Sequence, residues 1–149
     1  MFSGRKYVFN NRTKQWGKTT YVKTVGLTQL LAQKGFYVPA ESAEISLVDS
    51  IYTNFVAPDD LTKGDRNELK RMKQILFEKA TPYNLVILDE PCGGTSYEEG
   101  QKESLTLLDG FHKLGCLTYF TTYMHPLSKE VDNGKYSAAK NLSIGYIEE

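Results

Sequence analysis

Leu85-Val86-Ile87-Leu88-Asp89-Glu90 decides the fold: four apolar residues of strand type end abruptly in two acids. Bounded by Pro82 and Pro91, the run reads as a short buried strand. Upstream, Lys6-Tyr-Val-Phe-Asn10 reads as another short strand. After a loop comes Gly17-Lys18-Thr19-Thr20, opening a helix over Thr19 to Lys34 that stops at Gly35. Glu44 to Val56, rich in Ile, Val, Tyr and Phe, reads as one or two strands. Between Asn67 and Lys79 the residues Leu69, Met72, Ile75 and Leu76 share one helical face. Downstream, Tyr97 to Leu114 sets Leu105, Leu108 and Phe111 three apart, as in an amphipathic helix. Cys116 to Thr121 is a buried-type strand, and Leu142, Ile144 and Tyr146 alternate as in a half-buried one. Strands alternating with helices imply an α/β fold, its mainly parallel sheet flanked by helices. Binding sites in such sheets lie at the carboxyl ends of the strands.

Composition narrows the class. The chain has 149 residues, the size of one domain, and no repeat or linker divides it. A hydrophobic fraction of 40% and a charged fraction of 24% exclude wholesale disorder. No apolar run is long enough to span a membrane, and no apolar stretch after Met1 resembles a secretory signal. Two cysteines, Cys92 and Cys116, suit reduced thiols and a cytoplasmic setting. Net charge is zero, which argues against direct nucleic-acid binding. The charge is uneven, however: Arg5, Lys6, Arg12, Lys14, Lys18, Lys23 and Lys34 all precede the first acid, Glu41. Either charges segregate by chance on a solvated surface, or an anionic ligand sits near the N-terminal segment.

Gly17-Lys18-Thr19-Thr20 lies where a phosphate would meet free backbone N–H groups and the positive end of a helix dipole. Lys18 would reach the β- and γ-phosphates of ATP, and the Thr19 hydroxyl would ligate Mg²⁺. Alone, a Gly-Lys-Thr triplet is a weak signal, expected by chance in roughly one chain in ten to twenty of this length. The strand ending in Asp89-Glu90 strengthens it. Asp89 would support Mg²⁺ through its water shell, and Glu90 would be the base that polarises an attacking water. The bland alternative is an ordinary strand ending in a solvated acidic turn. The loop also departs from the full phosphate-binding pattern, which has glycine five residues before Gly17, where this chain has Arg12. Arg12 and Lys14 would compensate by charge, or else mark a loop that no longer holds nucleotide.

Beyond these elements the chain resembles the ATPase domain of the MutS DNA mismatch-repair family, from about Val8 to about Asn141. The resemblance rests on Leu30-Leu-Ala-Gln33, Val38-Pro-Ala-Glu-Ser-Ala43, Val48-Asp49, and Leu88-Asp-Glu90 followed by Gly94-Thr-Ser96. Where the family reads Gly-Pro-Asn-x-Gly-Gly-Lys-Ser/Thr, this chain reads Arg12-Thr-Lys-Gln-Trp-Gly-Lys-Thr19. The Ser-Thr-Phe segment that completes the neighbour's site in a MutS dimer has no counterpart; Thr62 is the nearest substitute. The family's Thr-His after the next strand is Thr122-Tyr123 here, with His125 two positions on. A histidine so placed is more often structural than a γ-phosphate sensor. The shortened Gly64 to Leu76 region looks closest to the small MutS-related proteins of bacteria.

The resemblance implies a P-loop NTPase of ABC type, with residues 1–149 a MutS-like ATPase core trimmed at both ends. It implies ATP and Mg²⁺ as ligands, a homodimer through the ATPase face, and DNA engaged only through domains outside this chain. Gly17, Lys18, Thr19 and Thr20 would hold nucleotide with Arg12 and Lys14, Thr19 and Asp89 would serve the metal, and Glu90 would be catalytic. The alternative is a degenerate nucleotide-binding or interaction module without turnover, favoured by Arg12, Trp16 and Tyr123. A small-molecule kinase fits less well, because an Asp-Glu pair suits water activation.

Overall fold

The computed structural model describes residues 6–10, 17–55, 70–92 and 96–142, with residues 6–10 described by their backbone. Among the described residues, five strands form one sheet: β1 (Lys6–Asn10), β2 (Ser50–Asn54), β3 (Asn84–Asp89), β4 (Leu117–Thr122) and β5 (Ala139–Leu142). Their order is β2-β3-β4-β1-β5, and every neighbouring pair is parallel. The helices are α1 (Lys18–Gln33), α2 (residues 70–79), α3 (Tyr97–Leu114) and α4 (His125–Asp132).

The apolar run of β3 serves both faces of the sheet, because successive side chains point to opposite sides. Leu85 and Ile87 pack with Val22 of α1 on one face. Val86 and Leu88 join Met72, Leu76, Leu107, Leu108, Phe111, Phe120, Leu127 and Val131, from α2, β4, α3 and α4, on the other. All six residues of β3 are buried, as expected of a central parallel strand covered on both sides. Two glycines permit close packing of the layers. A Cβ on Gly26 of α1 would lie 2.9 Å from Ile87 Cδ1, and one on Gly110 of α3 would lie 2.3 Å from Leu76 Cδ2.

The ends of α3 follow from sequence. Ser96 caps its first turn by accepting from the Glu99 N–H, and Gly115 closes it in the left-handed conformation at φ 81°. Within α2, Ile75–Lys79 is a π-helical turn that the regular apolar spacing did not announce.

Of the one or two strands expected between Glu44 and Val56, the described residues hold one, β2; residues 44–48 are irregular. There, α1 supplies the hydrogen bonds that a neighbouring strand would otherwise give. Gln33 accepts from Val48 N at 2.8 Å and donates to Val48 O at 3.0 Å, and Gln29 donates to Ser46 O at 2.8 Å. α4 lies where the sequence reading assigned no element. His125-Pro126 looks like a break, but proline is tolerated in a first helical turn, where its missing N–H costs nothing. The last strand among the described residues, Ala139–Leu142, ends at Leu142, the first residue of the Leu142-Ile144-Tyr146 alternation. Ile144 and Tyr146 lie outside the described residues, as do Arg12, Lys14, Trp16, Thr62, Gly64 and the Gly94-Thr95 pair. Among the described residues no helix is long and apolar enough to cross a membrane.

Candidate functional site

Parallel register brings three strand ends to one edge. Asn10 of β1 pairs with Thr122, and Asp89 of β3 pairs with Thr121. With β4 between β1 and β3, the last residue of β1 and the acids ending β3 both lie beside the β4 terminus. Helix α1 begins at this edge. Gly17 precedes it at φ 101°, a left-handed conformation that favours glycine, and its carbonyl accepts the first helical bond from Tyr21 N at 2.8 Å. Among the described residues no side chain caps this N-terminus, and no acid occupies its first turn. Its leading N–H groups and dipole are therefore available to an anion.

Lys18 is buried, and its ammonium lies 3.5 Å from Glu90 Oε1 and donates to the Thr122 carbonyl at 3.2 Å. A buried cation needs such partners, since desolvation without them costs several kcal/mol. Thr19 Oγ1 donates to Asp89 Oδ2 at 2.7 Å. The two groups expected to serve a metal thus sit side by side, and both are hard oxygens of the kind Mg²⁺ prefers. Gly17, Lys18, Thr19, Asp89 and Glu90 are brought together. Thr20 lies in the first turn of α1 but is exposed, its carbonyl accepting from Thr24 Oγ1 at 2.9 Å. Arg12 and Lys14 fall outside the described residues.

Sequence reading missed Thr121. It is fully buried, its hydroxyl donates to Asp89 Oδ1 at 2.6 Å, and it accepts from the Glu90 N–H at 2.9 Å. The only available signal was its place at the end of a strand expected beside β3. Glu90 itself adopts φ 48°, a conformation disfavoured for non-glycine residues, and Cys92 follows at φ 67°. At the rim stands Tyr123, where the MutS pattern carries histidine. Burial, then the negative charge of Glu90, then Tyr97, raise its phenol above the usual pKa. His125 opens α4 with an exposed side chain.

Residues 13–148 match the family model described as MutS domain V. A DNA mismatch repair protein MutS of Thermosipho melanesiensis is 37% identical over 131 residues, covering 86% of this chain and 16% of that protein. Its namesake in Chlorobaculum tepidum is 41% identical over 116 residues, covering 76% of this chain and 13% of the relative. The MutS of Chloroflexus aurantiacus strain J-10-fl is 40% identical over 116 residues, with 74% and 12% covered. The chain thus spans less than a fifth of the length of these relatives, and over that span it belongs to the MutS family.

Proposed function

We propose that this chain is the ATP-binding and ATP-hydrolysing domain of a MutS-like protein of DNA mismatch repair, a P-loop NTPase of ABC type. The observation that carries the reading is the meeting of Lys18, Thr19, Asp89 and Glu90 at one sheet edge, under an uncapped helix N-terminus. Residues from two separate motifs converge there with the charges and hard oxygens that Mg-ATP needs.

In this mechanism Lys18 exchanges the Glu90 carboxylate for β- and γ-phosphate oxygens, and the first-turn amides of α1 take further phosphate oxygens. Thr19 and Asp89 would hold Mg²⁺, which would supply charge neutralisation on the transferred phosphoryl group. Glu90, released from Lys18, accepts the proton of a water attacking the γ-phosphorus. The bond to the ADP oxygen breaks, leaving ADP and inorganic phosphate. We place this activity in the cytoplasm and in a homodimer meeting through the ATPase face. DNA is engaged by domains outside this chain, whose motion follows nucleotide state.

Two observations favour a second reading, a nucleotide-binding or interaction module without turnover. Glu90 already neutralises Lys18, and the loop before them carries Arg12 where phosphate loops carry glycine. ATP titration with and without Mg²⁺, on the parent and on Lys18→Ala, separates the two at the binding step. The expected result is Mg²⁺-dependent binding that Lys18→Ala abolishes. Single-turnover assays then compare the parent with Glu90→Gln. Binding should survive in the variant while hydrolysis drops about a hundredfold, the usual scale for a positioned base. A parent that binds no ATP into the millimolar range supports the interaction module instead.

A further inference from the structure

We infer that Thr121 is the positioning residue for both acids of the site, an assignment that rests on the nucleotide reading above. A threonine hydroxyl carries one proton and two lone pairs. Here the proton goes to Asp89 Oδ1 at 2.6 Å and a lone pair accepts the Glu90 N–H at 2.9 Å. The backbone carbonyl of Thr121 also accepts from that N–H, at 3.2 Å. One residue therefore grips the carboxylate of Asp89 and the amide that sets the direction of Glu90.

Each grip has a physical task. Asp89 receives two hydroxyl bonds, Thr19 on Oδ2 and Thr121 on Oδ1. A metal at Thr19 would use a lone pair of that hydroxyl, whose proton would remain free to donate to Oδ2. The Thr121 bond lies on the other oxygen of Asp89. It holds the carboxylate plane fixed, as groups behind metal ligands do. Glu90 stands at φ 48°, ahead of Pro91, whose ring disfavours helical backbone in the preceding residue. A conformation of this kind persists only when its surroundings over-determine it. The doubly accepted Glu90 N–H supplies that constraint, and it aims the Glu90 side chain at Lys18.

Thr121→Val keeps the shape and β-branching of the side chain and removes only the hydroxyl; Thr121→Ser restores it. Thr118→Val, at another buried threonine of β4, controls for burying a valine in this strand. The experiment titrates the full chain of each protein with ATP, with excess Mg²⁺ and with EDTA. It also follows hydrogen exchange at the Glu90 amide without nucleotide. In Thr121→Val, affinity in Mg²⁺ should fall about tenfold, the scale of one lost hydrogen bond to a charged group, with little change in EDTA. Glu90 amide exchange should accelerate, while Thr121→Ser and Thr118→Val behave like the parent. A parent that binds no ATP sinks the nucleotide reading and this role with it. A binding parent beside a Thr121→Val protein with unchanged Mg²⁺ dependence and unchanged Glu90 exchange sinks this role alone. If Thr121→Val does not fold, Thr121→Ser decides: a folded serine variant that loses Mg²⁺-dependent affinity overturns the assignment.

Discussion

The ion pair between Lys18 and Glu90 has unequal ends, and the inequality predicts an asymmetric response to mutation. The lysine side chain is 4% exposed and the glutamate 21%, at a separation of 3.5 Å. At an effective dielectric of about 20, two unit charges at 3.5 Å attract by about 5 kcal/mol. Desolvation of the lysine and solvent reaching Glu90 offset most of this, leaving a coupling of about 1–2 kcal/mol. In Glu90→Gln the ammonium stays buried with only neutral acceptors, so the loss should be about 2 kcal/mol. In Lys18→Met the stem still packs and Glu90 turns toward water, so the loss should stay below about 1 kcal/mol. The double variant should resemble Lys18→Met. Urea unfolding of the four proteins closes the cycle, provided their m-values agree. The result that refutes the reasoning is Lys18→Met costing more than Glu90→Gln, or a coupling indistinguishable from zero.

Two further predictions test the packing. Gly110→Ala sets its Cβ against Leu76, and the overpacking should exceed the helix-propensity gain of about 1 kcal/mol, for a net loss of about 1–2 kcal/mol; a variant as stable as the parent in urea would mean Leu76 turns aside freely. The Tyr136 phenol, which hydrogen-bonds Asp109, is pushed up to about 12, first by burial and then by that bond. Its folded pKa lies above the ordinary 10.0, so the native state holds the proton longer and this contribution to stability is complete below pH 10. It is lost as pH rises toward 12, so the parent's urea midpoint should fall more steeply between those values than that of Tyr136→Phe; equal slopes would contradict the assignment.

What the sequence disclosed follows the physics of each signal. β3 was legible because an uninterrupted apolar run ending in charge has few other uses, and α1 because Gly35 marks its stop. The convergence of Lys18 and Thr19 with Asp89 and Glu90 was legible from the order of two motifs around an implied parallel sheet. Whether Glu44 to Val56 holds one strand or two was not legible, because the strand-like composition of residues 44–48 is answered by the amides of Gln29 and Gln33, a tertiary choice no local propensity encodes. α4 is only eight residues, with Leu127 and Val131 its apolar pair, too short for periodicity to outweigh an early proline. Thr121 stayed hidden because a β-branched residue in a strand looks like packing. Its role depends on which side chain lies across the sheet.

The strand order has a kinetic consequence. β2, β3 and β4 pair as successive neighbours, so that half of the sheet can form as its residues are made. β1 comes earlier in the chain yet lies between β4 and β5, pairing Lys6 with Thr118 on one side and with Ala139 on the other. During synthesis the segment Lys6–Asn10 has neither partner until residues 117–142 have left the ribosome, and loop closure over such distances is slow. Until then it is an unpaired strand with exposed hydrogen-bonding groups, a template for wrong association and a natural target for chaperones. Lys18 finds its Thr122 acceptor, and Asp89 and Glu90 find Thr121, only once β4 has been made. The site is therefore completed late, and a nascent chain arrested before β4 holds the lysine and both acids without the strand end that orients them.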